Sequence, residues 1–145
     1  MKWMLFAGVG LVALVALVAV VGSMLPREHK ASRTLRVKRA PEEIWPVLTQ
    51  VTSASGIPVD VVENAPPHRL VTRVKDSEKM FGGTWTIVIS PDAGASAVTI
   101  TEDGWVGNPI FRFMSRFVIG HYATLDGTLK AVAKHFNEEP ALSGE

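Results

Sequence analysis

The stretch NPIFRFMSRFVIGHYATLDGTLKAVAKHF, Asn108 to Phe136, carries the most decisive pattern in the chain. Asn108 can cap a helix, and Pro109 suits a first helical position, where its missing N–H costs nothing. Met114, Val118, His121, Leu125, Leu129, Val132 and Phe136 recur as an apolar stripe. Arg112, Arg116, Asp126, Lys130 and Lys134 fall on the opposite side, with Asp126 and Lys130 spaced for an i,i+4 ion pair. The spacing predicts one amphipathic helix over 108–136.

Upstream the period changes. Ser32 to Arg39 alternates as a half-buried strand does, Leu35 and Val37 on one face and Thr34, Arg36 and Lys38 on the other. Pro41 opens a short helix with Glu42 and Glu43 in its first turn and Ile44, Val47, Leu48 and Val51 at helical spacing. Pro46 removes one hydrogen bond, so this helix is expected to be short or kinked. From Ile57 the period is two. Val59 and Val61 alternate against Asp60, Ala65-Pro66-Pro67-His68 turns the chain, and Arg69 to Lys75 returns. Asp76 to Gly83 reads as a loop. Trp85, Ile87 and Ile89 alternate with polar neighbours, and Pro91-Asp92-Ala93-Gly94 turns into Ala97 to Asp103, where Val98 and Ile100 share a face. A strand, a short helix, antiparallel hairpins and a long helix make an α+β order. One helix covers only part of a curved sheet, so a groove between the two is expected.

The 145 residues begin differently. Met4 to Leu25 is a run of 22 residues without a charge, and Ser23 is its only polar side chain. As a helix it rises about 33 Å, enough for a hydrocarbon core of about 30 Å. It shows no polar stripe, as a core helix of this length would. It is also longer than the apolar region of a cleaved signal peptide, and Gly22 and Ser23 make a weak cleavage site. Residues 1–26 are read as an uncleaved transmembrane anchor, 27–136 as the folded domain and 137–145 as a disordered tail. Arg27, Lys30, Arg33, Arg36, Lys38 and Arg39 follow the span and only Lys2 precedes it, which favours a cytoplasmic domain. Those cations suit either anionic headgroups or a solvated strand face. Apart from Lys2, the Lys and Arg residues balance the 14 Asp and Glu, which removes the broad basic field that nucleic-acid binding needs. The absence of cysteine excludes disulfides, thiolate metal sites and a cysteine nucleophile.

Several segments resemble the START-like superfamily, also called SRPBCC or polyketide cyclase/dehydrase and lipid-transport domains. They are Ala40-Pro41-Glu42-Glu43-Ile44-Trp45-Pro46-Val47-Leu48-Thr49, the proline turn into Arg69-Leu70-Val71-Thr72, Gly82-Gly83-Thr84-Trp85, and Thr99-Ile100-Thr101-Glu102-Asp103-Gly104 before the long helix. Segments 108–113 and 116–121 are similar to a membrane-anchored branch. The resemblance runs from about Arg33 to Phe136 and implies a helix-grip fold, an antiparallel sheet curved around its C-terminal helix, with a cavity for lipids or other apolar molecules. The family has a second helix and two more strands where this chain has only Val51 to Gly56, so an opened groove and an exposed sheet edge are expected, and with them pairing to a second copy.

Glu102 continues the parity of Val98 and Ile100, which turns it to the core side near a strand end. Buried there it would have the raised pKa of a general acid. The alternative is a structural partner for Arg112 or Arg116. His121 interrupts the apolar stripe and reads either as a base or ligand contact in the groove or as a satisfied core histidine. Trp85, Ile87, Ile100, Phe113, Phe117, His121, Thr124 and Leu125 are the expected groove-lining residues. No metal-ligand spacing, Gly-rich phosphate loop, GxSxG or cofactor signature is present, so no metal or cofactor is expected. The expected function is that of a single-pass, membrane-anchored domain binding a small apolar or lipid-like ligand. The alternatives are a cyclase or hydrolase using His121 or Glu102, and a scaffold that self-associates through the open edge.

Overall fold

The computed structural model describes residues 1–75 and 80–144. Its elements are helix α1 (Lys2–Met24), strand β1 (Glu28–Val37), helix α2 (Pro41–Ser53), strands β2 (Val59–Ala65), β3 (Arg69–Val74), β4 (Phe81–Asp92) and β5 (Ala95–Val106), helix α3 (Pro109–Met114), a π-helical turn (Ser115–Ile119), helix α4 (Ala123–His135) and a short strand β6 (Leu142–Ser143). The strands form one antiparallel sheet in the order β2-β3-β4-β5-β1-β6. The class is α+β, and α1 is long and apolar enough to cross a membrane.

Alternation decides which side chains enter the core. Leu35 and Val37 of β1, Ile87 and Ile89 of β4, and Val98 and Ile100 of β5 point to one face and are buried. Ile44 and Leu48 of α2 and Leu125, Leu129 and Val132 of α4 cover them. The β4–β5 hairpin closes on Ala93 and Gly94, both at positive φ, as a two-residue turn compatible with the right-handed strand twist requires. The outer strand β2 is exposed along its whole length, and its register breaks between Val61 and Glu63.

The single helix expected over 108–136 is broken. The Gly120 N–H bonds the Ser115 carbonyl five residues back, and Gly120 then takes φ +83°, a conformation open to glycine at little cost. The chain turns there and α4 starts afresh. Only the second half of the stripe therefore reaches the core: Leu125, Leu129 and Val132 are buried, whereas Val118 is 63% exposed. Asp126 does not face solvent beside Lys130. It accepts from Arg33 Nε at 3.0 Å, and the Arg33 guanidinium lies 4.1 Å from the Tyr122 ring centre.

Three boundaries also move. β1 starts at Glu28 rather than Ser32, and β4 takes in Phe81 to Gly83, the end of the loop expected over 76–83, of which 76–79 lie outside the described residues. The tail expected to be disordered carries β6, where Leu142 pairs with Leu35 of β1 and packs against the core. A buried apolar side chain and a strand edge to pair with suffice to hold it.

Candidate functional site

The site lies where β1, β4 and β5 run side by side at the end of the sheet nearest α1. The register sets Trp85 of β4 and Ala31 of β1 on either side of Glu102, and His29 beside Gly104. All share the face of Val98 and Ile100. The Trp85 indole N–H donates to Glu102 Oε2 at 2.8 Å. His29 Nε2 meets Glu102 Oε1 at 2.9 Å. A carboxylate oxygen accepts in such a contact, so Nε2 of His29 carries the hydrogen. Glu102 is thus held from both sides, neither by Arg112 nor by Arg116. Gly104 makes room for this: a Cβ there would lie 2.6 Å from His29 Cε1.

The break at Gly120 swings His121 over this pair. The two imidazole rings stack with centres 4.5 Å apart and 21° between their planes. Ser115 Oγ and His121 Nδ1 are 3.3 Å apart, at the weak end of hydrogen bonding. Burial pushes the His121 pKa below its ordinary value; His29 and Arg116 act in the same direction, and Glu102 opposes them. His121 is therefore neutral at pH 7, able to accept at one nitrogen and donate at the other.

Two clefts meet at this histidine pair. One, of about 340 Å³, is lined by apolar side chains of Ile57, Val74, Phe81, Trp105 and Ile119 and by Trp85, Glu102, His121 and Thr124. The other, of about 410 Å³, opens toward the end of α1 and is lined by Arg27, Lys30, Arg112, Arg116 and Tyr122 among others. Both are bordered by His29 and His121. Among the described residues, no three His, Cys, Asp or Glu side chains are grouped to hold a metal ion.

The residues singled out from sequence divide three ways. Trp85, Glu102, His121 and Thr124 come together at the apolar cleft. Ile87, Ile100 and Leu125 are fully buried in the core beneath it and present no surface to a ligand. Phe113 and Phe117 pair with each other, ring centres 5.0 Å apart, and neither lines the cleft, although Ser115 and Ile119 of the same segment do. A strand beginning at Ser32 leaves His29 outside it, at the membrane edge, whereas β1 begins at Glu28 and includes it. Extending the parity of Leu35 and Val37 back through Arg33 and Ala31 leads to it.

No family model and no curated protein matches this sequence. Solved structures share its fold. A conserved protein from Geobacillus kaustophilus superimposes with TM-score 0.58 at 14% identity, over 80% of this chain and 100% of that one. CalU16 from Micromonospora echinospora gives 0.58 at 10% identity, over 79% and 78% of the two chains. An HSP90 activator from Plasmodium falciparum gives 0.50 at 12% identity, over 79% and 99%. At such identities the likeness is one of fold. It defines the class as an α+β domain with a helix-grip-like arrangement, preceded in this chain by an apolar helix.

Proposed function

We propose that this protein is a membrane-anchored, START-like domain that binds a small apolar or lipid-like molecule in the cleft between the sheet and the broken C-terminal helix. The observation that carries this reading is the composition of the 340 Å³ cleft, whose apolar lining is interrupted by one hydrogen-bonded polar cluster of Trp85, Glu102 and His29 with His121 stacked on it. Such a site buries a hydrocarbon body and orients one polar group against it. A soluble domain on the cytoplasmic side, tied by α1, would meet its ligand at the high local concentration of a bilayer.

The test is native mass spectrometry of the full-length chain in detergent, with organic extraction and titration with a dansyl-labelled fatty acid. A stoichiometric apolar adduct, or saturable dansyl binding, is expected, and Thr124→Trp, which puts a bulky ring in the cleft lining, abolishes it. A wild-type chain that is empty and takes up no probe overturns the reading. The carboxylate–imidazole pair of Glu102 and His29 also favours a second reading, an acid–base enzyme of the cyclase or hydrolase kind with His121 beside the reacting group. In that case Glu102→Gln abolishes turnover of the extracted molecule while retaining its binding.

A further inference from the structure

Segment 109–119 lies outside the core it was expected to join, and it is conspicuously apolar on its free side. Ile110, Phe111, Phe117, Val118 and Ile119 are 38%, 46%, 59%, 63% and 63% exposed. Ile110 and Phe111 stand on α3, and Phe117, Val118 and Ile119 on the π-helical turn that continues it. Arg112 turns the other way, donating from Nη1 to the Leu25 carbonyl at 2.9 Å and from Nη2 to the Gly107 carbonyl at 3.2 Å. Five large apolar side chains crowded into one short segment exceed the scattered surface hydrophobics of a soluble domain.

The same segment is docked on α1. Gly22 and Pro109 meet backbone to backbone, so closely that a Cβ on Gly22 would overlap the Pro109 carbonyl oxygen. On α1, cover is confined to Val18, Ala19, Val21, Gly22 and, just beyond, Leu25. From Val18 to Leu25 a helix rises about 10 Å. That matches the depth of about 5–10 Å to which interfacial helices sink. Around the adjoining 410 Å³ cleft stand Arg27, Lys30, Arg112 and Arg116 with Glu28, Lys30 also meeting Asp103 at 3.4 Å, so the lining is net cationic, as a headgroup layer favours.

We infer that segment 109–119 is a second membrane element, seated in the interfacial layer of the leaflet where α1 ends, with Ile110, Phe111, Phe117, Val118 and Ile119 in lipid. The inference rests on reading α1 as the membrane span. It gives the domain a fixed orientation: the cationic cleft opens among the headgroups, and the histidine pair lies directly behind it.

The chain has no cysteine, so one introduced thiol carries a spin label without further changes. Full-length Val118→Cys, Ala13→Cys and Lys130→Cys are labelled in vesicles of phosphatidylcholine and phosphatidylglycerol, and collision with oxygen and with a water-soluble nickel chelate is measured. The expected result is lipid-like access at 118, with nickel collision several-fold below that at 130. Aqueous access at 118 with lipid-like access at 13 overturns the inference and leaves the anchor standing. Aqueous access at both removes the anchor and the inference together. Shielding of 118 from both reagents means that protein covers it, a second copy being the candidate, and also overturns the inference.

Discussion

Gly104→Ala puts a methyl group where the His29 ring lies. The new Cβ would stand 2.6 Å from His29 Cε1, 2.7 Å from Nε2 and 3.2 Å from Glu102 Oε1. Carbon atoms rest about 3.5–4.0 Å apart, so the ring must retreat by about 1 Å. Its only easy motion is rotation of the side chain, which draws Nε2 away from Oε1 and opens the stack with His121. A hydrogen bond to a charged group contributes about 1.5–3 kcal/mol when dry. The His29 and Glu102 side chains are 16% and 20% exposed, so water recovers part of that. Alanine in a strand returns about 0.5–1 kcal/mol over glycine. The net expectation is a loss of about 0.5–2 kcal/mol, read by urea unfolding of the full chain in detergent micelles. In a His29→Ala background there is no ring to strike, and the same change is neutral or stabilising by up to about 1 kcal/mol. The double-mutant cycle therefore shows a coupling of about 0.5–3 kcal/mol. An equal cost in both backgrounds refutes the argument that Gly104 exists to seat His29.

Three further outcomes are expected. Because the folded-state pKa of His121 lies below its ordinary 6.5, the unfolded chain takes up that proton first as pH falls, and stability drops as pH falls through 6.5; His121→Gln flattens that part of a stability–pH curve. Ala93 holds φ +43° in the β4–β5 turn, so Ala93→Asn raises stability by about 0.5–1 kcal/mol, measured by thermal unfolding. Deleting 141–145 removes Leu142 from the core surface and Gly144 from Arg33, and costs about 1–2 kcal/mol in the same assay, where loss of a disordered tail would cost nothing.

Much of this architecture is written in local periodicity. An uncharged run as long as a bilayer is thick, the two-residue alternation through Ile87, Ile89, Val98 and Ile100, and the helical recurrence of Leu125, Leu129 and Val132 each declare an element and its buried face, since each depends only on near neighbours along the chain. The inward turn of Glu102 followed from the same parity.

What periodicity could not supply was anything set by a partner far along the chain. His29 and Glu102 are 73 residues apart, and Arg33 and Asp126 are 93 apart; each pair exists because strand register and helix docking bring it together. The apolar stripe from Met114 through Val118 to Leu125 is continuous in sequence, yet the fold divides it at Gly120, giving one half to the sheet and the other to α1 and the surface. A stripe records that a face avoids water. It does not record whether protein or lipid will cover it, because both satisfy the same hydrophobic demand.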